Sequence, residues 1–208
     1  MNESSKPDLE HEIRSALDAR DLSRCATHVL RGYGPEILGY LLGRLQDETR
    51  ASEVFAMFAE DLWKSLPSLA LTATMRAYAY ALARNAAHRY LDRQVRKDRR
   101  GIPLSDAEVW SRVAAQVRSA TLPHMRSSVR GQVARLREQL SEEEQTLLTL
   151  RIDRGLSWNE VAVVFAGQDC DAAALQRESA RLRKRFEQTK HKLRNLAMAA
   201  GLLPQDES

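Results

Sequence analysis

Two neighbouring segments of this chain repeat one local device. In "LSEEEQTLLTLRIDRG", Ser141 stands three residues before Glu144; in "LSWNEVAVVFAG", Ser157 stands three before Glu160. Each pair fits a capping box, in which the serine hydroxyl and the glutamate carboxylate satisfy backbone N–H groups that a helix start leaves open. Gly155 and Gly167 close the two segments where a left-handed C-terminal residue is expected. The spacing therefore predicts two short helices joined by a tight turn, with Leu147, Leu148, Leu150 and Ile152 as the apolar set of the first. After the turn "QDCD" comes "ARLRKRFEQTKHKLR", residues 180–194, where Leu182, Phe186 and Leu193 recur at helical spacing among cations. A short helix pair cannot bury its own core, so the third helix is expected to supply the missing wall. Leu182, Phe186, Leu193 and Leu196 should pack on Leu148, Ile152, Val161 and Phe165, with Trp158 as a packing residue. The pattern is helix-turn-helix.

The rest of the chain is also helical in pattern, with no convincing strand. Only 9 Gly and 6 Pro occur in 208 residues, and 43% of the chain is hydrophobic against 29% charged, as expected for a folded soluble protein. Residues 21–32 and 33–46 are predicted as two helices broken around "RGYGPE". Residues 51–66 form the next, with Val54, Phe55, Phe58, Leu62 and Trp63 as a broad apolar face ended by Pro67. A loop, 67–74, leads into one long helix, 75–100, aromatic at its start and basic at its end. Residues 101–131 are expected to connect the two halves, with some helix capped by Ser105 and Glu108. The predicted organisation is all-α: an N-terminal segment 1–20, a helical domain 21–100, a linker 101–131, a helix-turn-helix domain 132–200 and a tail 201–208.

Charge is concentrated. Residues 177–194 hold eight Lys/Arg against two acidic residues, and residues 89–100 hold six against two. Subtracting both from the chain's 32 basic and 28 acidic residues leaves 18 against 24, so two segments carry all the positive excess. Two basic helices on an acidic body suit two contacts with one polyanion; solvated helix faces are the plainer alternative. A membrane-surface helix fits less well, because the apolar stripe of 180–194 is thin and is needed by its neighbours. In the first half, Tyr78, Tyr80 and Tyr90 precede the basic run. At spacings of two and ten residues they cannot share one face, so most should pack inward while one or two reach nucleic acid. Rings beside cations suit stacking of unpaired bases.

Catalytic chemistry finds little footing. There is no GxGxxG or GxxxxGK[ST] loop, no nucleophile elbow and no HExxH, and the five histidines are scattered. No cofactor, metal or catalytic residue is expected. Cys25 and Cys170 lack a CxxC partner and read as reduced thiols of a cytoplasmic protein. No apolar run approaches the ~20 residues that cross a bilayer, and the first twenty residues lack a signal core, so membrane insertion is not expected.

With these elements in order, the chain resembles the extracytoplasmic-function (ECF, group 4) sigma factors, the two-domain members of the sigma-70 superfamily. "RASEVFAMFAEDLWKSLP" and "RAYAYALARNAAHRYLDR", with Ala83-Arg84-Asn85, resemble sigma region 2; "LSEEEQTLLTLRIDRGLSWNEVAVVF" and "ARLRKRFEQTKHKLR" resemble region 4. The likeness spans roughly residues 25–100 and 132–197. It implies an alternative sigma factor, without enzymatic activity of its own, whose partners are core RNA polymerase (the β′ coiled coil and β flap) and promoter DNA, with room for an anti-sigma factor. Glu53, Val54, Phe55, Met57 and Phe58 would meet the polymerase. The 67–74 loop with Arg76, Tyr80, Arg84, Asn85 and Arg89 would capture the −10 element as single strand. Ser179, Arg181, Arg183, Lys184 and Arg185 would read the −35 duplex. The chain departs from the family at Ala56–Met57, where Gln-Glu is usual, in the weakly polar loop "PSLALTAT", and in the long turn "AGQDCDAA". A helix-turn-helix regulator and a helical adaptor that binds only proteins remain as alternatives.

Overall fold

The computed structural model describes residues 6–97, 135–167 and 170–203. Among them there is no strand; the chain is all-α and divides into two compact units, residues 1–122 and 123–208. The expected linker helix capped by Ser105 and Glu108 lies outside the described residues, as do residues 98–100.

The first unit is built from α1 (Lys6–Asp18), α2 (Leu22–Leu45), α3 (Glu48–Ser65) and α4 (Met75–Lys97). Helix α2 packs on α1, α3 and α4. Asp21 and Asp47 cap α2 and α3 by accepting from Arg24 N (3.0 Å) and Arg50 N (2.8 Å). A single 3₁₀ turn, Leu66–Ser68, follows α3 at Pro67. The N-terminal segment, left unassigned by the sequence pattern, is part of this bundle: Ile13 and Ala16 are buried.

One expectation fails here. The predicted break at "RGYGPE" is absent, and α2 runs unbroken with Pro35 inside it. An interior proline costs about 3 kcal/mol. Leu30, Tyr33, Ile37, Leu38 and Leu41 are all buried around it, and each such side chain contributes roughly 1.5–3 kcal/mol, so burial wins. Gly32 is not a breaker either. A Cβ there would meet the side-chain tip of half-buried Leu9, so the glycine leaves room for that leucine of α1 against α2.

The second unit holds α5 (Glu142–Leu148), a π-helical turn (Thr149–Asp153), α6 (Trp158–Ala166) and α7 (Ala172–Ala199). Both capping boxes form as the spacing predicts: Ser141 with Glu144 and Ser157 with Glu160. Gly155 adopts φ +65° and Gly167 φ +89° at the two stops. Leu147, Leu148, Leu150, Leu156, Val161, Leu182 and Phe186 are buried. Ile152 is not; it is 55% exposed. The turn closes through Arg154 N to Thr149 O, five residues back (3.0 Å), so its wider winding takes Ile152 off the face that Leu148 shares.

Candidate nucleic-acid interface

Helix α7 begins at Asp171, whose side chain accepts from Ala174 N at 2.6 Å. Ser179, Leu182, Phe186, Thr189 and Ala197 form its buried side. Leu193 and Leu196, expected in the core, are half-buried. Trp158 meets Phe186 edge-on, with ring centroids 5.4 Å apart, while Arg151 and Arg183 lie 5.1 and 5.8 Å from the indole centroid. Trp158 is thus a half-buried packing residue that also seats two guanidinium groups.

The five cationic or polar residues expected on DNA separate sharply. Ser179 is 4% exposed and faces the core, so it does not reach a groove. Arg181 is held by Glu178 (2.8 and 2.9 Å) and by Glu143 at the start of α5 (3.0 Å). Those bonds outweigh desolvation and raise its pKa further. Arg185 leans on Glu144 at 3.7 Å, where Lys192 also bonds at 3.0 Å. Arg181, Arg185 and Lys192 therefore fasten α7 to α5. Arg183 and Lys184 remain exposed.

A residue missed in the sequence completes the outward face. Gln176 and Arg177 are exposed two turns before Arg183 and Lys184, with exposed Ala180 between them and exposed Ala173 just before. The sequence signal for it is the i, i+4, i+7 recurrence Gln176, Ala180, Arg183, which charge alone does not mark because an amide is neutral. A Gln–Arg pair with small neighbours and following cations is chemistry suited to base edges and phosphates.

In the first unit the expected contacts are mostly interior. Val54, Phe55 and Phe58 are core residues, with Phe55 and Phe58 ring centroids 5.5 Å apart. They cannot meet a partner while the bundle is closed. Of that set Glu53 is exposed and Met57 half-buried, while Trp63, expected inside, is 40% exposed. Tyr80 is fully buried, edge-on to Tyr40. Arg76 is buried in a bidentate pair with Glu36 (2.6 and 3.0 Å). Tyr90 is buried too; burial, then its hydrogen bond to Glu53, pushes its hydroxyl pKa up. Arg84 is half-buried, Asn85 is exposed, and exposed Arg89 pairs with Asp61 of α3. Asn85 and Arg89, four residues apart, share the outward side of α4.

No family model matches the chain, and no curated protein or solved structure does. Among the described residues, no helix is long and apolar enough to cross a membrane, and no group of three or more His, Cys, Asp or Glu is placed to hold a metal ion.

Proposed function

We propose that the chain is an alternative sigma factor, which binds core RNA polymerase and directs promoter recognition and opening. The observation that carries this reading is the second unit: a capped helix, a turn, and a helix whose Gln176, Arg177, Arg183 and Lys184 face outward while its other side is core. That is the arrangement by which a recognition helix enters a major groove. The ordered resemblance of both halves to sigma regions 2 and 4 raises the reading above duplex binding alone. The −35 contacts then fall to Gln176, Arg177, Arg183 and Lys184, and the −10 contacts to the 67–74 loop with Asn85 and Arg89. Outward Glu53 and Met57 belong to the polymerase contact.

Burial of Arg76 and Tyr80 favours a second reading, a helix-turn-helix regulator that binds duplex and never captures a single strand. Run-off transcription from a genomic template library separates the two. A sigma factor yields promoter-dependent transcripts when added to core polymerase. A regulator retards duplex DNA yet gives no such product. Arg183→Ala and Lys184→Ala should weaken duplex binding and each lower the salt slope by about one, with core-polymerase affinity unchanged.

A further inference from the structure

Three side chains at the N-terminal end of the chain grip the main chain of one distant segment. Glu10, on α1, accepts from two backbone groups at the start of α4: Met75 N (3.0 Å) and Arg76 N (2.9 Å). Thr74 takes the next, Ala77 N, at 3.2 Å. The first turn of α4 is therefore capped jointly by its own threonine and by a carboxylate 65 residues away. Tyr33 orients that carboxylate through a 2.7 Å bond to Glu10 Oε1. Arg14 donates to Ala73 O at 2.8 Å, immediately before the cap. Arg20, just past α1, donates to Pro67 O at 2.8 Å.

These bonds hold both ends of the 67–74 loop. Its middle is not packed solidly on α1. A cavity of about 390 Å³ lies there, bordered by Arg14, Leu17, Arg20, Leu66, Leu69 and Leu71. Leu69 and Leu71 are only half-buried beside it, so the polar anchors add to the hold that apolar packing gives the loop. Arg20 also holds a left-handed φ of +59°, uncommon for a residue with a Cβ. Its backbone closes α1 while its guanidinium reaches across to the loop.

We propose that α1 is a positioning element: Glu10, Arg14 and Arg20 fix the main chain of residues 67–76 and thereby set the sequence preference for melted promoter strand. This rests on the sigma-factor reading above. The three residues need not touch DNA; they hold the backbone that does. A loop released from its anchors spends less time in the binding-competent path, and apparent affinity falls by that fraction.

The test uses the full chain bound to core polymerase, with Arg14→Ala/Arg20→Gly as the variant. Glycine suits the left-handed turn at position 20, so the change removes the anchor without straining the helix end. The probes are a random-sequence pool of short single-stranded DNA and a random duplex pool. The expected result is faster amide exchange confined to residues 67–76, about tenfold weaker single-strand binding with flattened sequence preference, and unchanged duplex affinity. Arg14→Lys, which keeps a donor for Ala73 O, should bind the single strand like the parent. Unchanged exchange at 67–76 overturns the proposal. So does faster exchange with single-strand preference intact, and in both cases the parent's own selective binding leaves the sigma reading standing. A parent holoenzyme with no single-strand preference overturns the reading itself.

Discussion

Arg76 stands where the sequence resemblance put a promoter contact and the structure puts a buried ion pair, so its replacement has a sharp expected outcome. Its Nε and Nη2 meet the two carboxylate oxygens of Glu36 at 2.6 and 3.0 Å. The two side chains are only 11% and 17% exposed. Arg76→Met strands the Glu36 carboxylate in that setting, and Glu36→Leu strands the guanidinium. Removing one partner of a fully buried pair costs ~3–5 kcal/mol; the residual exposure lowers this to about 2–4 kcal/mol for either single change. The double variant Glu36→Leu/Arg76→Met should lie within about 1 kcal/mol of the parent, because neither charge is left alone. The two units need not unfold together, so a single melting curve is a poor measure. Amide exchange of the most protected α2 positions reads the first unit by itself. Two outcomes would refute the reasoning. Single changes costing under about 0.5 kcal/mol would mean the pair is solvated like a surface bridge. Full stability with lost single-strand binding would make Arg76 the DNA contact first expected.

Two further outcomes follow from titratable groups. Glu144 is buried; burial alone would raise its pKa, but the Ser141 N–H and Lys192 outweigh it and hold the carboxyl below its ordinary value of 4.5. A depressed carboxylate contributes stability that is present above that value and lost as pH falls through the folded-state pKa. Urea midpoints of the second unit should therefore drop between about pH 5 and pH 3, and Glu144→Gln should lower the midpoint at neutral pH and flatten the dependence; an unchanged acid slope would remove Glu144 as its source. Burial, with help from Asp21, pushes the Cys25 thiol up to about 11, whereas Cys170 is half-exposed. At pH 8 only about one Cys25 in a thousand is thiolate, so a disulfide reagent should titrate one thiol quickly and the second only on unfolding. Two fast equivalents would contradict the burial.

What was legible in the sequence was what is decided locally. A capping box is complete within four residues, and a left-handed glycine needs only its own φ, so Ser141, Gly155, Ser157 and Gly167 were placed correctly from the letters alone. The errors came where a distant partner decides. Gly32 looks like a breaker until Leu9 lies against it. Tyr80 and Arg76 look like nucleic-acid chemistry until Tyr40 and Glu36 meet them. Helix α4 misleads for a further reason. Ala77, Ala79, Ala81, Ala83, Ala86 and Ala87 are all buried, so it is enclosed on several sides, and a stripe of bulky residues cannot reveal which side is free. Ile152 was misplaced because a π turn shifts the helical phase, and no residue type announces one.

The same distinction governs how the charge of α7 should be read. Its eight Lys/Arg looked like one polyanion-binding surface, yet Arg181, Arg185 and Lys192 are turned to Glu143 and Glu144, and Lys190 pairs with Glu187. The acidic opening of α5 therefore has two roles that a sequence cannot separate: it caps its own helix and it receives the cations of another. The Arg181–Glu143 pair is exposed and contributes at most about 1 kcal/mol, while Arg185 and Lys192 meet a buried carboxylate, Glu144. These pairs reinforce the azimuth that the buried side of α7 sets through Leu182 and Phe186, and that azimuth decides which residues face out. Counting cations overstated the surface available to a duplex, while the outward side proved richer in hydrogen-bonding variety, because Gln176 joins Arg177, Arg183 and Lys184 there. On the proposed function, fewer cations and one amide suit such a surface to base edges as well as phosphates. The paired residues make a separate, testable class. Arg181→Ala should loosen α7 from α5 and weaken every duplex alike, whereas Gln176→Ala should alter which duplex is preferred.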